Sequence, residues 1–157
     1  MDLAALSPVP WENVYHVGMV VADIDLAMSQ MGDELGITWG EAGPVTVTVK
    51  DHRGIAPETI KVVYGKNGPP YLELIEGAGG GIWTPEGGPR MHHMGVWTEN
   101  LAADIARLER IGMRTEASGV GPDGGLSLFA YMRDAHGFRI ELVDAANRER
   151  SLARLIG

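Results

Sequence analysis

Two periodicities follow one another along this chain, and the pair occurs twice. Residues 16–25, HVGMVVADID, open as an apolar strand, after which Ile24, Met28, Met31 and Leu35 recur every three or four positions, the spacing of one buried helical stripe. Seventy-seven positions on, residues 93–102, HMGVWTENLA, begin in the same way, and Leu101, Ile105 and Leu108 repeat the stripe. Asp23 and Asn100 stand where a helix N-cap is needed, and Gly36 and Gly112 supply the stops. Apolar and β-branched runs then predict strands at 45–49, 60–64 and 71–75 in the first half and at 126–132 and 138–143 in the second. Turn formers such as KNGPP (66–70) and GPDGG (121–125) separate them. The pattern reads as βαβββ twice, an α+β chain with modules at 13–76 and 91–145.

Residues 77–90 hold six Gly and two Pro among 14 positions and read as the linker between the modules. Its GAGGG segment resembles a phosphate-cradling loop, but Trp83-Thr-Pro follows where such a loop needs a helix N-terminus. Residues 146–157 predict a C-terminal helix or tail, with Arg148, Arg150 and Arg154 as a solvated terminus matched to the helix dipole. The 157 residues suit one domain, and 45% hydrophobic with 22% charged residues is the balance of a folded globular chain. A net charge of −8 repels nucleic-acid phosphates, so no nucleic-acid partner is expected. The absence of Cys excludes thiolate metal sites and a cysteine nucleophile. MDLAALSPVPWENVYH lacks the basic and apolar regions of a signal peptide, and no long apolar window follows, so no membrane association and a cytoplasmic location are expected.

The chemistry comes from laying one repeat on the other. Each contributes a His on its first strand, His16 and His93, and a Glu on its last, Glu73 in YLELIE and Glu141 in RIELVD. Packing alone favours Val or Ile at inward strand positions, so two His and two Glu at matched places point to one metal site. Two imidazoles and two carboxylates suit and neutralise a divalent first-row ion, leaving positions for a substrate that binds through two oxygens. Strict alternation puts Gly18 and Gly95 on the inward face beside the histidines, and turns His92 and Glu76 away. His52 and His136 fall in turns. Alternation also nominates Tyr71, beside Glu73, and Trp97, four beyond His93, as pocket wall. Arg139, beside Glu141, can orient that carboxylate, clamp a substrate carboxylate or phosphate, or form a surface ion pair.

The duplicated unit, with HVGMVVADID, YLELIE, HHMGVWTENL and FRIELVD, resembles the vicinal oxygen chelate superfamily, which includes glyoxalase I, methylmalonyl-CoA epimerase and the bleomycin-resistance-like proteins. The likeness covers about residues 13–145, and the HHMGV segment resembles the epimerase branch. It implies a curved, cup-shaped mixed sheet around a central cavity, completed within one chain or across a homodimer. It also implies one divalent metal ion (nickel, cobalt, zinc, manganese or iron) held by His16, Glu73, His93 and Glu141, with Glu141 or Glu73 as the catalytic acid and base. Epimerases usually carry an amide where this chain has Glu73, and the glutathione-recognition segments of glyoxalase I have no counterpart.

The expected activity is that of a metal-dependent isomerase, epimerase or lyase moving a proton next to a polarised carbonyl of a small oxygen-chelating substrate, through an enolate or enediolate. Two alternatives remain at this stage. An extradiol-type ring-cleaving dioxygenase needs only three protein ligands, so Glu73 discriminates. A non-enzymatic, drug-sequestering protein would hold apolar ligands between aromatic walls, for which Trp83, Trp97 and Tyr71 are available.

Overall fold

A computed structural model describes residues 7–85 and 90–157. The first six residues, read above for a leader, and residues 86–89 of the linker lie outside the described residues. Strand β1 (Val14–Val20) leads into helix α1 (Ile24–Leu35), followed by β2 (Gly43–Asp51), β3 (Gly54–Tyr64) and β4 (Tyr71–Glu76). The second half runs β5 (Arg90–Thr98), α2 (Leu101–Arg110), β6 (Arg114–Val120), β7 (Leu126–Arg133) and β8 (Arg139–Asp144), and ends in α3 (Arg148–Ile156). The helix boundaries follow from their caps. Asp23 and Asn100 accept hydrogen bonds from the Leu26 and Ala103 amides, and Gly36 closes α1 in the left-handed conformation.

The eight strands form a closed barrel in the order β1-β4-β3-β2-β6-β7-β8-β5, parallel at β1–β4 and β5–β8 and antiparallel elsewhere. The cup expected above is therefore shut around its whole circumference. One seam between the halves, β1–β5, is in register over most of both strands; the other, β2–β6, joins only Val49 to Gly119 and Lys50 to Ser118. Both principal helices lie outside the barrel on outward-facing residues. Ile24 of α1 packs with Leu74 and Val63 of the barrel, and Leu108 of α2 with Leu142 and Ile140. Fully burying one such side chain stabilises the fold by about 1.5–3 kcal/mol. Strand alternation then sends Glu73 and Glu141, the neighbours of Leu74 and Leu142, to the interior. No helix among the described residues is long and apolar enough to cross a membrane.

Candidate metal centre

Four adjacent strands, β4-β1-β5-β8, build the site, and two glycines set its spacing. Gly18 lies in register between Glu73 and His93, and Gly95 between Glu141 and His16. A Cβ at Gly18 would overlap the His93 ring, and one at Gly95 the His16 ring. Each repeat thus makes room for the imidazole of the other, not for its own as alternation along one strand suggested.

The four side chains each offer one donor atom, and these atoms all lie within 4.8 Å of one another. His16 Nε2 is 2.8 Å from His93 Nε2, 3.4 Å from Glu73 Oε2 and 3.1 Å from Glu141 Oε2. His93 Nε2 is 3.1 and 3.2 Å from the same two oxygens. Donors about 2.1 Å from a common ion, separated by 90° to 109°, lie roughly 3.0–3.4 Å apart; the four His–Glu distances fall in that window and the His–His pair just below it, so the residues fit a first-row divalent ion. His16, His93 and Glu73 are buried, and Glu73 Oε2 and His16 Nδ1 have no hydrogen-bond partner. An orphaned buried polar atom costs about 1–3 kcal/mol, a cost that a bound cation offsets at the carboxylate.

The electrostatics of the metal-free cluster follow from burial opposed by pairing. Burial pulls His93 down, but the carboxylates of Glu141 and Glu73 outweigh it and raise the imidazole to about 9. Burial likewise lifts Glu141, yet hydrogen bonds from His16 and His93 hold it well below the ordinary carboxylate range. Tyr64 faces Glu73 in register and Tyr131 faces Glu141. Burial, reinforced by those carboxylates, keeps both phenols protonated far above neutrality. This second matched pair escaped the sequence reading, although a Tyr on the penultimate strand of each half was visible there.

Strict alternation fails beside each histidine. The β1–β5 register slips between Val14 and His16 and again between Gly18 and Met19, leaving Tyr15 and His92 as the extra residues of two bulges. Tyr15 is buried and stacks on Trp97 with ring centroids 3.7 Å apart. His92, expected to face away, packs edge-on against both His93 and Tyr131. Its Nε2 lies 2.9 Å from the Ile82 carbonyl, which only accepts, so Nε2 carries the proton. Burial, with the neighbouring His93 charge, lowers His92 to about 3, leaving Nδ1 as an acceptor for the His93 Nδ1–H at 3.0 Å. That arrangement keeps the proton of a neutral His93 on Nδ1, so that Nε2 can meet a cation once its own proton leaves.

A cavity of about 440 Å³ opens onto Glu73 and Glu141, within the range of small-molecule sites. Its wall includes Val45, Val62, Ile75, Trp83, Phe129 and Tyr131. Trp83 comes from the linker, is buried, and donates from Nε1 to the Tyr131 hydroxyl at 3.1 Å. The three residues nominated for the wall lie elsewhere. Trp97 is covered by Tyr15 and the Arg148 guanidinium, Tyr71 is packed beside the core without reaching the cavity, and Arg139 belongs to a separate polar cleft. Arg139 pairs with Glu116 at 2.7 and 3.0 Å and donates to the His92 carbonyl at 3.2 Å. Glu76, also outside, accepts from the Ile24 amide at 2.7 Å. Conversely, the C-terminal helix reaches the cavity: Asn147, Arg150, Ser151 and Arg154 line its mouth. Arg150 and Arg154 are exposed as expected, but not directed away from the site.

Comparison with known proteins agrees with this architecture. The sequence profile of the Glyoxalase/Bleomycin resistance protein/Dioxygenase superfamily matches residues 15–131. No curated protein matches the chain. Methylmalonyl-CoA epimerase from Mycobacterium tuberculosis superposes with a TM-score of 0.56 at 22% identity, over 92% of this chain and 94% of that one. A Streptomyces coelicolor methylmalonyl-CoA epimerase variant in complex with 2-nitronate-propionyl-CoA gives 0.57 at 21% identity, over 85% and 97%. A 4-hydroxymandelate synthase mutant from Streptomyces coelicolor gives 0.54 at 17%, over 85% of this chain and 38% of that one. At these identities the likeness is one of fold.

Proposed function

Because the chain belongs to the Glyoxalase/Bleomycin resistance protein/Dioxygenase superfamily, we propose that it is a metal-dependent isomerase, epimerase or lyase that moves a proton at a carbon next to a carbonyl. The observation that carries this reading is the convergence of His16, Glu73, His93 and Glu141 on one point at the floor of an apolar cavity. A divalent ion held there supplies a Lewis acid that makes the neighbouring C–H of an oxygen-chelating substrate more acidic. Glu141 and Glu73 reach the same cavity and are the groups placed to take and return the proton. Tyr131 and Tyr64, kept neutral, hold hydroxyl groups beside those carboxylates. The apolar wall and Trp83 keep bulk water from the floor.

Two features weigh against the alternatives. Ring-cleaving oxygenation needs three protein ligands, whereas the Glu73 carboxylate stands with the other three donors. A metal-free pocket for apolar molecules has no use for four converging ionisable groups, two of them with orphaned buried atoms.

Metal titration followed by elemental analysis tests the site: one ion per chain is expected, and His93→Ala abolishes it. No stoichiometric binding by the unaltered protein would sink the proposal. With an ion in place, deuterium exchange into candidate acyl or keto acids identifies the carbon acid. Glu141→Gln then lowers turnover by about 10²–10⁴ with a smaller effect on KM; unchanged turnover removes Glu141 from the chemistry.

A further inference from the structure

Helix α3 closes the cavity with its polar side. Asn147, Arg150, Ser151 and Arg154 recur at i, i+3, i+4 and i+7, a single helical face, and all four line the cavity. Most of the remaining wall is apolar, and a helix laid over an apolar chamber ordinarily turns its hydrophobic stripe inward. Here Leu152 packs against the core beside the chamber while the stripe that faces the chamber carries two guanidinium groups. A dipole-matched terminus accounts for the charge of Arg154 in the last turn. It does not account for four polar residues aligned on the cavity.

The partners of these arginines sharpen the point. Arg53, Arg107, Arg133 and Arg139 each pair with a carboxylate. Arg150 and Arg154 instead donate to neutral acceptors, Asn147 Oδ1 at 2.6 Å and the Pro44 carbonyl at 3.0 Å. The Pro44 contact ties the helix across to the start of β2, whose Val45 and Val47 continue the cavity wall. In a chain with a net charge of −8, the mouth of this chamber therefore carries two cations that, among the described residues, no carboxylate pairs with.

We propose that the α3 face is an anion-recognition site and that the ligand of the cavity is an amphipathic acid. One end of it meets the Glu73 and Glu141 floor, a short apolar body lies along the wall, and a carboxylate or phosphate monoester at the other end is held by Arg150 and Arg154. The inference rests on the reading of this cavity as the substrate chamber, but not on the ion.

Binding of hexanoate, hexyl phosphate and 1-hexanol to the full-length protein, followed by NMR shift perturbation, tests it. The metal-free and metal-loaded forms are titrated separately. At least one acid binds about tenfold more tightly than hexanol in both forms, and added salt erodes the advantage. The advantage is lost in Arg150→Gln/Arg154→Gln, with hexanol affinity unchanged, and is largely kept in Arg150→Lys/Arg154→Lys. Comparison of the two acids tells a carboxylate site from a phosphate site. Equal binding of acids and alcohol, no binding of either acid, or a preference that survives the Gln pair overturns the proposal. If no ion binds, the proton-transfer reading fails while the metal-free titration still decides this one.

Discussion

Replacing Gly95 with alanine drives a methyl group into the His16 ring, and Gly18→Ala does the same to His93. Either substitution is expected to destabilise the fold by about 1–3 kcal/mol and to cost far more metal affinity than an alanine elsewhere on β1 or β5, because a displaced imidazole no longer meets the other donors. Thermal melts and metal titration check both, and wild-type affinity in Gly95→Ala contradicts the spacing role. The His93 ring also fixes a pH dependence. Its imidazole is raised from about 6.5 to about 9 in the metal-free protein, so a cation must displace a proton at any pH below about 9. Apparent metal affinity therefore climbs by up to about tenfold per pH unit as pH rises towards about 9, then levels. The stabilisation that this proton lends the metal-free fold is complete below about 6.5 and disappears as pH rises through 9. Metal-free melting temperatures should fall over that interval, and a flat profile refutes the assignment.

Strands and helices explain what was legible in the residues. The two helices, their caps and most strands were readable because an apolar stripe and a period of two are local signals. Strand β6, RTEASGV, was not, since Ser, Thr, Gly and charged residues give it no apolar rhythm; its place in the barrel comes from its neighbours. The four donors could be found by aligning the repeats. Most of the wall could not: of the aromatic residues named from the sequence only Trp83 lies in it, and the rest depends on barrel closure and on the docking of α3, neither encoded by periodicity. Bulges defeated alternation at Tyr15 and His92, where one extra residue per strand turns a ring towards the site. The bulge at His92, fastened by the Ile82 carbonyl, sets the protonated nitrogen of His93. His92→Phe keeps a ring in the bulge but removes the acceptor, and should weaken metal binding by about 10- to 100-fold besides costing about 1–3 kcal/mol of stability for the orphaned His93 N–H. Undiminished affinity, measured by competition with a chelating dye, removes His92 from that role.

Across the whole molecule the donors and the weak seam lie on opposite sides. His16, Glu73, His93 and Glu141 occupy β4-β1-β5-β8, whereas β2 and β6, each two strands beyond β4 and β8, meet through two residue pairs. Backbone amides at Val49 and Gly119 should therefore lose hydrogen-exchange protection well before those at Val17 and Met94. Equal protection shows a barrel of uniform stiffness. The protein resembles a book bound firmly along one spine and barely stitched at the fore-edge. A margin that opens first is where guests of different girth would find room, while the spine that carries the four candidate donors stays still.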